Sequence, residues 1–131
     1  MYRLLISFFI LFTFCSCRNK IGNEELYNKT SFIKIEPKVV NMGKISNQKI
    51  YKYDVILENN NNIPIIINKI DVSCNCIKVK LDNKNILPNK KNTLSLIING
   101  KGNNGFFNKS IIIQSSANNK TEIIRVKGTF I

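Results

Sequence analysis

From residue 32 onward, apolar positions recur at every second residue, broken by short polar turns. Phe32, Ile33 and Ile35 stop at Pro37, as an edge strand would, because proline cannot donate to a ladder. Val39 to Ile45 contains Gly43, a signal for a bend or bulge. After Ile50, Tyr51, Tyr53, Val55 and Leu57 share one face and Lys52, Asp54 and Glu58 the other, the period of a half-buried strand. Asn59 to Asn62 reads as a turn. Ile63 to Ser73 is apolar through Ile67 and then alternates weakly. Ile77, Val79 and Leu81 alternate with Lys78 and Lys80, and Pro88 to Lys91 is a turn. Leu94, Leu96 and Ile98 face one way, Asn99 to Gly105 is a loop, and Phe107 to Gln114 is strongly β-branched. Ser115 to Lys120 turns, and Glu122 to Ile131 closes the chain with Ile124 and Val126 on one face.

The pattern predicts about seven to nine short strands, with turns every ~8–12 residues and no helical stripe. Roughly 100 residues arranged this way predict an all-β, immunoglobulin-like sandwich, with a small closed barrel as the alternative. The Trp packed on a bridge that marks antibody domains is absent, since the chain has no Trp.

The first residues follow another rule. Arg3, the run from Leu4 to Phe14, and then Cys15-Ser16-Cys17 form a signal-peptide pattern. The run is shorter than the ~20 residues that span a bilayer. Ser16 before Cys17 suits a bacterial lipobox, which needs a small residue ahead of the lipidated cysteine. Cys15 would place the bulky Phe14 there. The expectation is a lipoprotein signal peptide over 1–16, a lipidated Cys17 heading a polar tether over 17–30, and the sandwich over 31–131. A diacylglyceryl group plus an amide-linked acyl chain anchors stably. Arg18 stands where many inner-membrane lipoproteins carry aspartate. That predicts the periplasmic face of an outer membrane rather than the inner membrane. The first acidic pair, Glu24-Glu25, lies several residues on, which argues against export to the cell surface.

Composition changes this picture in two places. The net charge is +12 over 131 residues, but the excess is almost all Lys. Lys, Asn and Ile dominate loops and strands alike, as A/T-rich codons would produce. Arg clusters with interleaved aromatics are missing, so no specific nucleic-acid partner is expected. The absence of His removes the Ser-His-Asp triad, the Cys-His dyad and His-ligated metal centres. Asp54 and Glu58 share a face but stand about 13 Å apart at ~3.3 Å per residue, too far for a glycosidase pair. A non-enzymatic module without cofactor is the expectation.

Several segments together carry a family likeness. They are Ile63-Pro64-Ile65-Ile66-Ile67, Val72-Ser73-Cys74-Asn75-Cys76, Ile86-Leu87-Pro88-Asn89-Lys90, Gly105 to Ile111, and the closing Val126-Lys127-Gly128-Thr129-Phe130. In order and spacing they resemble the bacterial domain of unknown function 1573. The resemblance covers roughly residues 32–131. It implies an Ig-like domain related to modules of ciliary and centrosomal proteins and frequent in secreted proteins and lipoproteins of Bacteroidota. It implies no activity. The family's Ser-Cys-Gly-Cys-Thr has Asn75 for Gly and Ile77 for Thr here, and its Pro-Gly turn is Pro88-Asn89, which tolerates positive φ.

Cys74 and Cys76 are the sharpest chemical feature. In a straight strand they would lie on one face about 6.6 Å apart. That is near the upper limit for a disulfide, so bridging needs a local turn, with Asn75 in a left-handed conformation as the expected device. Three readings stay open: a structural pair, free or bridged; a redox dithiol with Lys78 lowering a thiol pKa; and a Cu(I) site. Met42 is the further sulfur ligand that would remain after removal of the signal. The expected function is a lipid-anchored module presenting a sheet face or edge to an envelope protein or glycan. The alternative is envelope thiol-redox or Cu(I) handling through Cys74 and Cys76.

Overall fold

A computed structural model describes residues 30–131; the expected signal peptide over 1–16, Cys17 and residues 18–29 of the expected tether lie outside the described residues. Nine strands follow in order: β1 (Ile33–Glu36), β2 (Val39–Ile45), β3 (Ile50–Asn59), β4 (Ile65–Val72), β5 (Ile77–Leu81), β6 (Asn85–Ile86), β7 (Lys90–Asn99), β8 (Gly105–Ser115) and β9 (Thr121–Phe130). They build two sheets, β1-β3-β7-β5 and β2-β9-β8-β4-β6. The result is the all-β sandwich that the alternation predicts, and neither sheet closes into a barrel.

Side chains alternate because the strand period is two, so each sheet contributes one apolar face to a shared core. Val55 and Leu57 of β3, Leu94, Leu96 and Ile98 of β7, Ile111 and Ile113 of β8, and Ile124 and Val126 of β9 are all buried at 0–1% exposure. Isoleucine dominates this interior, and its stiff β-branched side chain fits the pleat it packs on.

Three departures from the alternation have physical causes. First, β1 and β2 are consecutive but belong to different sheets. The chain crosses at Pro37, joined to Glu36 by a cis peptide bond, and β2 then runs parallel to β9. Single-strand periodicity carries no information on partner or direction. Gly43, at φ 63°, sits where the β2–β9 register shifts between Asn41 and Lys44, as a bulge would. Second, the weak alternation after Ile67 is a second register shift, between Ile67 and Lys69 of β4. Third, the Tyr51–Leu57 face is buried only in its second half, and Tyr53 is 37% exposed.

Asn59 does more than the sequence suggests. It opens the turn through its own side chain, but it is also the last residue of β3 and has 0% exposure. Its Nδ2 donates to the carbonyls of Ile63 and Ile86, both at 2.8 Å, while its Oδ1 accepts from the Asn61 main chain at 3.0 Å. One buried amide thereby gives partners to loop groups from two segments, which would otherwise be costly to bury. After β6, Pro88-Asn89 turns with Asn89 at φ 55°, and Lys90 N donates to Leu87 O at 3.2 Å.

Candidate functional site

The sandwich has two poles. One gathers the turns after β2, β4 and β7. Gly100 N donates to Lys49 O, and a side chain at Gly100 would come within 2.7 Å of Ser46 O. Cys74 and Cys76 lie at this pole, in the turn where the chain passes from β4 in one sheet to β5 in the other. The sulfurs are joined at 2.11 Å, with Cα atoms 5.3 Å apart rather than the straight-strand spacing. The shortening comes from the turn itself. Asn75 does not take the expected left-handed conformation: among the described residues Asn89 is the non-glycine at positive φ. Both cysteines are half-buried and pack against the core, so the bridge covers apolar surface at the open end.

Two hydrogen bonds hold the approach to the bridge. Ser73 N donates to Ser110 O at 3.0 Å, and Ser110 N donates to Ser73 Oγ at 2.9 Å. The β4–β8 register ends at the Val72–Ile111 pair, and the Ser73–Ser110 bonds carry the contact one residue further. Lys78 lies two residues beyond Cys76, at the start of β5. An ammonium beside a reduced cysteine favours thiolate. Met42 sits on a different strand from those that flank the pair. It lies on β2, three strands from β4 in the same sheet, which separates those two strands by about 14 Å at 4.7–4.9 Å per strand.

The opposite pole holds the point where the chain enters the domain. Ser31 N donates to Asn118 Oδ1 at 2.7 Å, and Asn118 N donates to Ser31 O at 2.7 Å. Phe32 N donates to Asn61 Oδ1 at 3.2 Å, and Asn61 Nδ2 to Phe32 O at 2.8 Å. Ile33 N donates to Asn119 Oδ1 at 3.0 Å, and Asn119 Nδ2 to Ile33 O at 2.9 Å. Three asparagines from two distant loops thus hold three consecutive residues, each in both directions. A run of asparagines in a polar loop gives no sign of this in the sequence.

An open groove of about 590 Å3 borders this pole, lined in part by Phe32, Lys34, Glu36, Lys38 and Glu122. Its charges already face one another: Lys34 with Glu36 at 3.1 Å and Lys38 with Glu122 at 2.6 Å. Burial raises the Glu122 pKa, but hydrogen bonds from Lys38 and Asn119 and the Lys38 charge outweigh it and hold the carboxyl below its ordinary value. The other carboxylates of the described residues are also committed. Asp54 accepts from Ser95 Oγ at 2.7 Å, Glu58 pairs with Lys91 at 3.2 Å, Asp71 with Lys69 at 2.9 Å and Asp82 with Lys80 at 3.2 Å. Among the described residues no three His, Cys, Asp or Glu side chains gather as a metal-holding group.

The family model described as "Protein of unknown function (DUF1573)" matches residues 33–130. The chain belongs to this family. No curated protein matches the sequence. Among solved structures, a protein of unknown function from Porphyromonas gingivalis W83 is similar in fold, with a TM-score of 0.68 and 14% identity. The match covers 78% of this chain and 48% of that one, so the chain spans about half the length of that relative. The ASH / PapD-like domain 7 of human CEP192 is similar at a TM-score of 0.58 and 9% identity, over 79% of this chain and 87% of that one. A family 123 glycoside hydrolase from Clostridium perfringens matches at 0.61 and 14% identity, over 78% of this chain but 27% of that one. At these identities the likeness is one of fold.

Proposed function

We propose that this protein is a non-enzymatic binding or scaffolding module, held in the bacterial cell envelope by a lipid on Cys17 at the periplasmic face of the outer membrane. The observation that carries this reading is the fastening of residues 31–33 by Asn61, Asn118 and Asn119. It secures the domain where a membrane tether would join it, and leaves the Cys74–Cys76 pole at the far end. The lipobox pattern at Ser16-Cys17 supplies the anchor. Asp54 and Glu58 lie on one strand at a separation too long for a glycosidase pair, and no His accompanies any carboxylate, which supports binding over acid–base catalysis. In this reading the disulfide seals the core at the β4–β5 crossover.

Palmitate labelling in a bacterial host, followed by membrane separation and in-cell crosslinking, tests the proposal. Label should appear in the outer-membrane fraction, vanish in Cys17→Ser, and accompany a reproducible crosslinked partner. An unlabelled soluble product without a partner overturns it. Copper stoichiometry and thiol titration of the purified protein decide against the redox and Cu(I) alternative if no copper binds and Cys74→Ser leaves partner capture unchanged.

A further inference from the structure

We propose that the outer edge of β5 is a docking strand for an extended peptide in which acidic residues flank an apolar one. This rests on the binding-module reading and names the site and the chemistry of the partner. Asn99 N donates to Cys76 O at 2.8 Å, which fixes the phase of the β5–β7 ladder. In an antiparallel pair, hydrogen-bonded and non-hydrogen-bonded residues alternate. With the register Lys78–Ile97 and Lys80–Ser95, those residues bond to β7. The main-chain N–H and C=O groups of Ile77, Val79 and Leu81 therefore point away from the sheet, and β5 is its last strand.

The other edges are obstructed. The outward groups of Ile33 on β1 are occupied by Asn119, and Pro37 ends that strand. β2 is broken by the Gly43 bulge, β4 by its register shift at Ile67–Lys69, and β6 spans two residues ahead of Pro88. The β5 edge is continuous over three alternate residues.

Its side chains specify the occupant. Lys78 and Lys80 are exposed on the outer face, while Val79 and Leu81 are half-buried and pack on the core from the inner face. A strand added here places alternate residues opposite the two lysines and the residue between them opposite Val79. Acidic side chains at the first positions and an apolar one at the second complement both faces. Two copies of β5 paired about Val79 would instead oppose Lys78 to Lys80, which disfavours self-association. Main-chain bonds supply affinity and alternate side chains supply selectivity.

The test uses the full chain in detergent and the synthetic peptide Thr-Glu-Val-Glu-Val-Glu-Thr, capped at both ends. A peptide with Lys for Glu serves as comparison. Binding is read by fluorescence and by amide hydrogen exchange. The Glu peptide should bind and slow exchange at Ile77, Val79 and Leu81. Val79→Pro removes an outward N–H that β7 does not use, a change an edge strand tolerates. It should weaken binding about tenfold, near the worth of one main-chain bond, with unchanged protection in β7. Lys78→Glu with Lys80→Glu should exchange the preference from the Glu to the Lys peptide. Absence of binding, equal binding by the Val79→Pro variant, or new protection confined to another strand overturns the assignment. A cellular partner whose crosslinks map away from β5 also overturns it while leaving the module reading intact. Peptide binding at β5 with no cellular partner supports the edge and removes the module reading.

Discussion

The sheet β1-β3-β7-β5 ends in two strands of similar length that have been treated in opposite ways. At β1, the outward groups of Ile33 are taken by Asn119, Asn61 holds Phe32 one residue earlier, and Pro37 ends the strand two residues after Ile35. At β5, three residues keep their outward groups open, guarded only by the charges of Lys78 and Lys80. A strand edge is a template for another chain, and proteins obstruct or charge it. Side-chain amides close an edge to every partner. Lysines close it to copies of itself and leave it open to acidic strands. The difference separates a fastening from a docking position within one sheet.

The largest blow to the closed side should come from Asn59→Ala. It leaves the carbonyls of Ile63 and Ile86 without their shared donor in a fully buried position, and should cost about 2–4 kcal/mol. Urea unfolding measures this; a loss under about 0.5 kcal/mol, the range of ordinary surface changes, would show that the amide does not organise those loops.

Asn119→Ala should come next. It removes both bonds to Ile33 and should cost about 1–2 kcal/mol, at roughly 1 kcal/mol per bond. It should also open the Ile33 end of β1, seen as faster exchange of the Ile33 amide. Unaltered exchange there would break the contrast between the two edges.

Cys74→Ser with Cys76→Ser acts on the open side. Because the bridge closes so short a loop, chain entropy gives about 1–2 kcal/mol. Calorimetry should show that loss, and the Ile77 end of β5 should exchange faster than the Leu81 end. Equal stability of the two proteins would deny the bridge its sealing role.

The smallest effect is a pH dependence at the closed side. Glu122 has its folded pKa lowered, so its contribution is present above its unfolded value of 4.5 and is lost as pH falls through the lower folded value. For a pair this close to solvent the size is at most about 0.5 kcal/mol. Unfolding midpoints from pH 7 to 3 should fall less for Glu122→Gln than for the unaltered chain; parallel curves would exclude the linkage.

Much of the sandwich was legible because strand periodicity and turn chemistry are local. Ile77-Val79-Leu81 against Lys78-Lys80 gave β5 its two faces, and Gly43 and Pro88-Asn89 marked a bulge and a turn by backbone preference. What stayed hidden depended on pairing. Neither the parallel join of β2 to β9 nor the Ser73–Ser110 contact on the approach to the bridge can be read from one strand. Asn59 was legible as a turn residue and its bond to Asn61 makes it one, but its burial and its bonds to Ile63 and Ile86 depend on tertiary contacts. Asn61, Asn118 and Asn119 were lost among many asparagines. The open phase of β5 required a single hydrogen bond, from Asn99 to Cys76, to be located.

Amide hydrogen exchange of the unliganded protein, resolved residue by residue along β1 and β5, tests the unequal edges most directly. Lys78 and Lys80 should exchange slowly and Ile77, Val79 and Leu81 fast, while Ile33 is protected by Asn119. Uniform protection along β5, or an Ile33 amide as fast as that of Val79, would contradict the account.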